Sequence, residues 1–297
     1  MTPEPNTSPP DASIVPITPA LLRTWPLPEP GDGKYGRGQV VVVGGARRSP
    51  GAAMLASLAA LRVGAGRLTI ALGDSVADHV AVAIPECGVV GLRETAEGHI
   101  AGDSLDRASD DMAGADAVLV GPGLDDADEA ADLVSDLANH VSADTVLVLD
   151  AYALGVLERD DVSVQAFASR LVLTPNSSEA ERLLGREVVD PDHDIPEIAR
   201  RFEAVVSCGG LVASPDGRVW RSGTGSSGLG TSGSGDVLGG AILGLCARGA
   251  SVEQAAVWAT QAHGAAGDRL AVQVGPLGYL ASELLAELPR VLVEVGA

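Results

Sequence analysis

The chain has 297 residues, with 40 acidic and 20 basic side chains and a formal net charge of −20. A protein with this excess of acidic side chains repels phosphates overall, so the composition argues against binding to a nucleic-acid backbone. The mean hydropathy is +0.21, but no apolar run in the sequence reaches the roughly 18 residues that a membrane-spanning helix needs. We therefore expect no nucleic-acid partner and no membrane partner.

The three cysteines and the N-terminal segment bear on the compartment. Cys87, Cys208 and Cys246 form no CxxC pair, so neither a structural zinc site nor a disulfide framework is expected. The segment MTPEPNTSPPDASIVP lacks the basic and apolar regions of a secretory signal. We expect a cytoplasmic protein with a disordered tail over residues 1–12 and one domain over residues 13–297.

Apolar runs alternate along the chain with Ala- and Leu-rich segments of helical length. The runs lie at 39–45, 67–72, 116–123, 145–151, 170–175 and 203–207. Several of them are Val-rich throughout rather than alternating, which is typical of strands buried on both faces. Helices are predicted over 51–64, 127–140, 177–185 and 195–203, and from 236 to the end with an interruption at 267–278. The alternation predicts an α/β fold whose central sheet is mostly parallel and covered on both faces.

Ligands bind at the carboxyl ends of the strands in an open parallel sheet, so the residues that follow each predicted strand deserve inspection. These residues are small, polar or turn-forming, and they lie at 44–45, 121–123, 150–151, 174–176 and 207–210. A tight turn explains any one of these groups alone. Their position at one common edge indicates a ligand site.

The most informative motif is GTSGSGDVLGGAILGLCARG, residues 230–249. Gly233, Ser234 and Gly235 precede Asp236 and an apolar helix, and the N–H groups of such a turn together with the positive end of the helix suit a phosphate. Asp236 is then either a first-turn capping carboxylate or a base beside a transferring phosphoryl group. The sequence contains no P-loop, GxGxxG fingerprint, GxSxG elbow or zinc-ligand spacing.

Two further polar features carry less weight. Arg47 and Arg48 follow the first predicted strand and could contact phosphates, but neighbouring exposed arginines are more often simply solvated. His263 lies in the Ala-rich run TQAHGAAGD, where a packed structural histidine is the more common outcome than a catalytic one.

Taken together, the motifs resemble the ribokinase-like ADP- or ATP-dependent NAD(P)H-hydrate dehydratases over roughly residues 20–292. The strongest likeness is in residues 230–251 and in VWATQAHGAAGDRLA, which follows them. The other similar elements are residues 33–72, Ile84-Pro85-Glu86, VLVGPGL (118–124), VLDAYAL (148–154), LTPNSSEAERLLG (173–185) and LGYLASELLAELP (277–289).

The resemblance implies a ribokinase-like three-layer α/β/α sandwich and a hydro-lyase. Such an enzyme returns NADH hydrate or NADPH hydrate to the reduced dinucleotide by phosphorylating the ring hydroxyl and eliminating phosphate. Mg²⁺ accompanies the nucleotide co-substrate, with ADP favoured over ATP. The resemblance also implies a homotetramer and a separate NAD(P)H-hydrate epimerase in the same pathway, because no epimerase domain precedes residue 20 of the sequence.

Carried over by motif, the resemblance makes Asp236 the base on the hydroxyl. It places Ala52, Gly123, Asn176 and Asp236 against the hydrate substrate. It assigns nucleotide binding to Ser207, Cys208, Gly209, Gly210, Gly233, Ser234 and Gly235. No residue is assigned to a dedicated metal site.

The sequence departs from the family pattern at three positions. Asn176 replaces the His of TPHPGE, Tyr152 replaces the second Asp of DADAL, and Ser207 replaces the Lys that opens the nucleotide segment. Asn exchanges hydrogen bonds but carries no charge, and loss of a Lys removes a favourable contact to phosphate. Two alternatives therefore stay open: a small-molecule alcohol kinase of the same superfamily, and a nucleotide-binding relative without catalysis.

Overall fold

A computed structural model of the chain describes residues 13–29 and 31–296, so the predicted tail over residues 1–12 lies outside the described residues. The strands found there are β1 (Val15–Ile17), β2 (Gln39–Val43), β3 (Arg67–Gly73), β4 (Gly88–Leu92), β5 (Ala117–Val120), β6 (Val146–Leu149), β7 (Leu171–Leu173), β8 (Val205–Cys208), β9 (Leu211–Ala213) and β10 (Val219–Ser222).

The helices of the same residues lie between and after the strands. They are α1 (Pro19–Thr24), α2 (Gly33–Gly36), α3 (Pro50–Arg62), α4 (Asp74–Ala83), α5 (Ser109–Ala113), α6 (Ala127–Asp136), α7 (Tyr152–Gly155), α8 (Ser177–Leu184), α9 (Pro191–Phe202), α10 (Ser234–Ala247), α11 (Val252–Gln273) and α12 (Ala281–Val295). None of them combines the length and the apolar character that a bilayer crossing requires.

The strands form one sheet in the order β1-β10-β9-β8-β7-β6-β5-β2-β3-β4. All neighbouring pairs are parallel except β10 with β9 and β9 with β8. The six predicted strands are confirmed as β2, β3, β5, β6, β7 and β8, which form the parallel centre. Their carboxyl ends therefore meet at one edge, and the strands β1, β4, β9 and β10 extend the sheet on both sides.

Helices cover both faces of the sheet, which gives the three layers that the sequence predicts. Val40 and Val42 of β2 belong to a core shared with α3, α10, α11 and α12. Val41 and Val43 belong to a second core shared with α6, α7, α8 and α9. Because successive residues of a strand point to opposite faces, a Val-rich strand fills both cores at once.

Two predicted helix boundaries are wrong. Helix α9 begins at Pro191, earlier than residue 195, because the Asp190 side chain accepts a hydrogen bond from the Asp192 N–H and Pro191 occupies the first turn. Helix α11 continues to Gln273 and so includes the first seven residues of the predicted interruption at 267–278, which begins in the structure at Val274. Its Gly267 packs against Leu229, and such tertiary packing outweighs the weak helix propensity of one glycine.

Candidate active site

A cavity of about 190 Å³ opens at the carboxyl edge of the sheet, where the start of α10 faces the ends of β6 and β7. Helix α10 covers one face of the sheet and helix α8 covers the other, and the N-termini of both helices reach the cavity. The residues that line the cavity are Asp150, Ala151, Thr174, Asn176, Glu179, Gly233, Gly235 and Asp236. Three of these carry carboxylates and none carries a positive charge.

The first turn of α10 supplies Asp236 and a set of backbone donors. Gly233 precedes the helix with φ +89°, a left-handed conformation that glycine adopts without a steric penalty. The helix begins at Ser234, so Asp236 lies in its first turn, as the sequence predicts. The N–H groups of Gly235 and Asp236 come too early in the helix to have an intrahelical partner, and the helix dipole places partial positive charge there. This end of the cavity suits a phosphoryl group.

Asp150 follows β6 and forms the floor of the cavity. Its side chain is buried, with 5% exposure, and its Oδ1 accepts a hydrogen bond of 2.8 Å from the Thr174 hydroxyl at the end of β7. Burial raises the pKa of Asp150 to about 7, and the nearby charge of Asp236 adds to the increase. A carboxyl group in this condition exchanges protons near neutral pH.

Asn176 and Glu179 hold the opening turn of α8. The Asn176 side chain accepts from the Glu179 N–H at 3.0 Å, and Glu179 Oε2 accepts from the Asn176 N–H at 2.9 Å. This reciprocal arrangement is a capping box. It fixes the Glu179 carboxylate at the cavity and leaves Oε1 for a further partner.

The three carboxylates influence one another across the cavity. Burial raises the pKa of Asp236 to about 6, and the charge of Glu179 contributes in the same direction. No cation lies among the lining residues, and the charges of Asp236 and Glu179 both disfavour ionisation of Asp150. The site therefore carries negative charge that a bound cation or a proton would balance.

His263 of α11 supports the start of α10 from behind. Its Nε2 lies 3.0 Å from both the Oγ and the carbonyl oxygen of Ser234. Burial lowers the pKa of His263 to about 4, so the ring is neutral at pH 7 and donates from Nε2 to the carbonyl oxygen. The Ser234 side chain is buried against this histidine rather than lining the cavity, and the packed role favoured for His263 agrees with this geometry.

The remaining residues predicted to bind substrate lie farther along the same edge. Gly123 follows β5 and packs against Gly45 and Ser49 in the loop after β2. Ala52 lies in the first turn of α3, just after that loop, and is half-buried. Ala52 and Gly123 thus belong to one group of loops, and neither lines the cavity that contains Asp236.

The predicted nucleotide segment 207–210 has two parts. Ser207 is buried, and its hydroxyl lies 2.8 Å from that of Thr260 on α11, while Cys208 packs in the core on the opposite face. Gly209 and Gly210 have φ +56° and +84° and form the two-residue turn between the antiparallel strands β8 and β9. Two positive φ values are typical of the turn that closes a tight hairpin.

Asp150, Ala151, Thr174 and Glu179 line the cavity but are not among the catalytic and binding residues predicted from the sequence. Asp150 and Thr174 each follow a predicted strand, and Glu179 is the last residue of the TPNSSE element. The signal was therefore present, but their convergence depends on β6 and β7 being neighbours in the sheet. The strand-end groups 150–151 and 174–176 already belong to the ligand site that the sequence indicates, but the sequence assigns no role to Asp150 or Thr174.

Comparison with known proteins agrees with this geometry. The fold is similar to that of a ribokinase-like superfamily protein from Enterococcus faecalis, with a TM-score of 0.81, 21% identity, and coverage of 98% of this chain and 99% of that chain. The fold is thus a ribokinase-like α/β/α sandwich. The family model described as NAD(P)H-hydrate dehydratase matches residues 40–290.

Individual relatives point to the same family. The chain is 41% identical over 286 residues to the ADP-dependent (S)-NAD(P)H-hydrate dehydratase of Xanthomonas campestris, covering 93% of this chain and 95% of the relative. It is similar to the ADP/ATP-dependent NAD(P)H-hydrate dehydratase of Bacillus subtilis co-crystallised with ATP/Mg²⁺, with a TM-score of 0.77, 28% identity and coverage of 95% and 99%. It spans about half the length of several bifunctional NAD(P)H-hydrate repair enzymes. The chain belongs to the NAD(P)H-hydrate dehydratase family.

Proposed function

We propose that the protein dehydrates NADH hydrate or NADPH hydrate to the reduced dinucleotide, with ADP as the phosphate donor. The observation that carries the proposal is Asp236, which lies in the first turn of α10 and faces a cavity rich in carboxylates. The relative from Xanthomonas campestris is an ADP-dependent enzyme of this kind and matches nearly the whole chain. Family membership and local geometry thus support the same reaction.

Asp236 acts as the base on the ring hydroxyl. Its carboxylate accepts the hydroxyl proton as the oxygen attacks the terminal phosphorus of the nucleotide. The first-turn N–H groups of Gly235 and Asp236 hold the phosphoryl oxygens, where the helix dipole offsets their charge. General-base catalysis by a positioned carboxylate contributes about 10²–10⁴ to a rate. A pKa of about 6 leaves most of the Asp236 population ionised at pH 7.

The other predicted site residues take binding roles in this proposal. Ala52, Gly123 and Asn176 contact the hydrate together with Asp236. Gly233 and Gly235 hold the nucleotide phosphates through their N–H groups. Ser234 holds this turn in place, because its N–H donates to the Thr231 carbonyl oxygen and its own carbonyl oxygen accepts from His263. Ser207, Cys208, Gly209 and Gly210 contribute backbone contacts to the nucleotide, because the side chains of Ser207 and Cys208 are buried.

A Mg²⁺ ion fits the cavity, since its lining residues include three carboxylates without a cation. Carboxylate oxygens are ligands that Mg²⁺ accepts together with phosphate oxygens and water. Glu179 would hold the ion, because it lines the cavity and its Oε2 is fixed by the capping box. When bound, Mg²⁺ supplies neutralisation of the charge on the phosphoryl group.

The test is an assay with NADH hydrate or NADPH hydrate, Mg²⁺, and either ADP or ATP. We expect the absorbance of the reduced nicotinamide to return, faster with ADP than with ATP. Asp236→Asn should reduce the rate by about 10²–10⁴-fold. The control is Asp110→Asn, an exposed residue of α5 before β5, which should keep the native rate.

Two results would contradict the proposal. A stable phosphorylated product that keeps its phosphate would identify an alcohol kinase. Nucleotide binding without turnover of either hydrate, in protein shown to be folded, would identify a non-catalytic relative.

A homotetramer, a cytoplasmic location and a separate NAD(P)H-hydrate epimerase in the same pathway complete the proposal. The oligomeric state is tested by light scattering coupled to size-exclusion chromatography. The need for an epimerase is tested by supplying the hydrate epimer that the purified protein does not consume. That epimer should be consumed only after an epimerase is added.

A further inference from the structure

The proposed reaction removes two protons from the substrate, and Asp236 accounts for only one of them. The first is the hydroxyl proton, which leaves when the oxygen is phosphorylated. The second leaves a ring carbon, because a carbon–carbon double bond forms when phosphate departs. The following inference rests on the proposed function and concerns the acceptor of this second proton.

Two carboxylates besides Asp236 line the cavity, and their surroundings differ. Glu179 has one oxygen bound to the Asn176 N–H in the capping box and lies at the start of a helix. Asp150 is buried on the floor of the cavity, at the end of the adjacent strand. Its Oδ1 is bound by the Thr174 hydroxyl, which leaves Oδ2 as the oxygen available for a proton.

Asp150 lies close to α10. A Cβ placed on Gly239, one turn after Asp236, would be in ordinary van der Waals contact with Asp150 Oδ2, at 3.4 Å. The start of α10 and Asp150 are thus near neighbours that line one cavity. A substrate whose hydroxyl contacts Asp236 therefore lies within the space that Asp150 also borders.

The backbone next to Asp150 is strained. Ala151 has φ +50° and ψ −122°, a conformation that residues with a Cβ adopt only when the surroundings impose it, at a cost of about 1–3 kcal/mol. This residue also lines the cavity. Strain of this kind clusters at functional sites, where it fixes the direction of neighbouring groups.

We propose that Asp150 is the second catalytic base, which accepts the proton from the ring carbon during elimination. In this step the bond from the ring carbon to the phosphate oxygen breaks, and its electron pair leaves with the phosphate. The carbon–hydrogen bond on the neighbouring carbon breaks, its electrons form the double bond, and the proton moves to Asp150 Oδ2. The raised pKa of Asp150 suits a base that works near pH 7.

The test separates the two steps in time by rapid quench with ADP and the hydrate. Formation of AMP reports phosphoryl transfer, and the return of reduced-nicotinamide absorbance reports elimination. In Asp150→Asn we expect AMP to form at nearly the native rate, elimination to slow by about 10²–10⁴-fold, and phosphorylated hydrate to accumulate. Hydrate carrying deuterium on the ring carbon should then show a primary isotope effect. Asp236→Asn should instead block AMP formation.

Thr174→Val is a second variant, which keeps the volume of the side chain and removes the hydrogen bond to Asp150. It should slow elimination more than AMP formation, and Asp110→Asn should change neither rate. Melting curves establish that each variant is folded. Equal native rates for both steps in Asp150→Asn would overturn the inference and leave the proposed function intact. Equal slowing of both steps would also overturn it, whereas a native protein that forms no reduced dinucleotide would refute the proposed function itself.

Discussion

Two buried aspartates, Asp150 and Asp194, show how differently the same side chain behaves in two regions of the molecule. Asp194 in α9 is 3% exposed. Its Oδ1 accepts from Arg186 at 2.8 Å, and its Oδ2 accepts from the N–H groups of Val189 and Asp190 at 2.9 and 3.0 Å. The Arg186 guanidinium holds the pKa of Asp194 well below its usual range. Asp150 has a hydroxyl partner and two carboxylate neighbours, and its pKa is raised.

The difference lies in charge balance, since both side chains are buried. Around Asp194 the chain supplies a cation and backbone donors, so the carboxylate stays ionised and holds the N-terminal region of α9 in place. Around Asp150 the chain supplies further negative charge, so the group is poised to bind a proton or a cation. A buried carboxylate left without a cation is a marker of function, whereas a neutralised one is a marker of structure.

The same reasoning applies to a cluster that has the composition of a metal site. Ligand atoms of His193, Asp194 and Glu197 lie within 4.8 Å of one another. Arg186, however, binds both Asp194 and Glu197, at 2.8 and 2.6 Å. Its guanidinium already supplies the positive charge that a metal would bring, so the cluster belongs with the structural carboxylates.

Asp194→Ala should have the largest effect on stability. The change removes the charged hydrogen bond from Arg186 and leaves the N–H groups of Val189 and Asp190 without their acceptor. We therefore expect the free energy of unfolding to decrease by about 3 kcal/mol. Urea denaturation measures this change, and Asp110→Ala should stay within about 0.5 kcal/mol of the native protein. Dehydratase activity per folded molecule should be unchanged. A loss of activity in folded Asp194→Ala protein would break the distinction between the two aspartates.

Features of the fold that depend on local sequence are predicted correctly, whereas features that depend on long-range packing are missed. The buried parallel strands are predicted because continuous Val and Leu runs specify burial on both faces. The flanking strands β1, β4, β9 and β10 are missed. Strands β1 and β9 have only three residues, β4 contains two glycines, and β10 ends in two polar residues. Gly209 and Gly210 illustrate the difficulty, since a glycine pair after a strand fits a phosphate loop and a hairpin turn equally well.

The site divides in a similar way. Asp236 and its glycines are contiguous in sequence, so local turn chemistry suffices to predict that Asp236 lies in the first turn of a helix. Asp150 and Glu179 reach the cavity only through the order of strands in the sheet and the packing of two helix layers. The raised pKa of Asp150 arises from burial and from the neighbouring charges in that assembly, which the sequence around Asp150 does not reveal.

The pH dependence of the two steps tests whether each needs its own ionised carboxylate. Lowering the pH protonates a base, so the rate of elimination should decrease about tenfold per unit below the Asp150 pKa of about 7. The rate of AMP formation should stay constant to a lower pH and decrease below the Asp236 pKa of about 6. Asp150→Asn should remove the transition near pH 7 from elimination and leave the transition of AMP formation unchanged. Identical pH profiles for the two steps would count against two bases.

Replacing Asp150 by Asn should leave stability unchanged or increase it, in contrast with the loss expected at Asp194. The folded-state pKa of Asp150 is raised from 3.8 to about 7, so the fold favours the protonated form. That contribution is present below pH 4 and is lost as the pH increases through 7, where burial of the charge becomes costly. We expect Asp150→Asn to melt about 2–4 °C higher at pH 8. The difference should disappear near pH 4, and a lower melting temperature at pH 8 would contradict this interpretation.

Ala151→Gly should produce the smallest change, and it tests whether backbone strain serves the Asp150 region. Glycine adopts φ +50° without strain but loses more freedom on folding, so we expect a net gain of about 1 kcal/mol. Ser169→Gly is the matched control, because Ser169 has φ +67° and lies before β7, at the opposite edge of the sheet.

Both glycine variants should gain stability in urea denaturation, but only Ala151→Gly should slow elimination, by a few-fold, because Asp150 is then less firmly oriented. A slower step in Ser169→Gly as well would point to a general effect of flexibility. An unchanged rate in Ala151→Gly would mean that the Thr174 hydrogen bond and the packing around Asp150 are sufficient to hold the carboxylate. In that case the strain at Ala151 is a consequence of how the chain leaves β6, with no part in orienting the base.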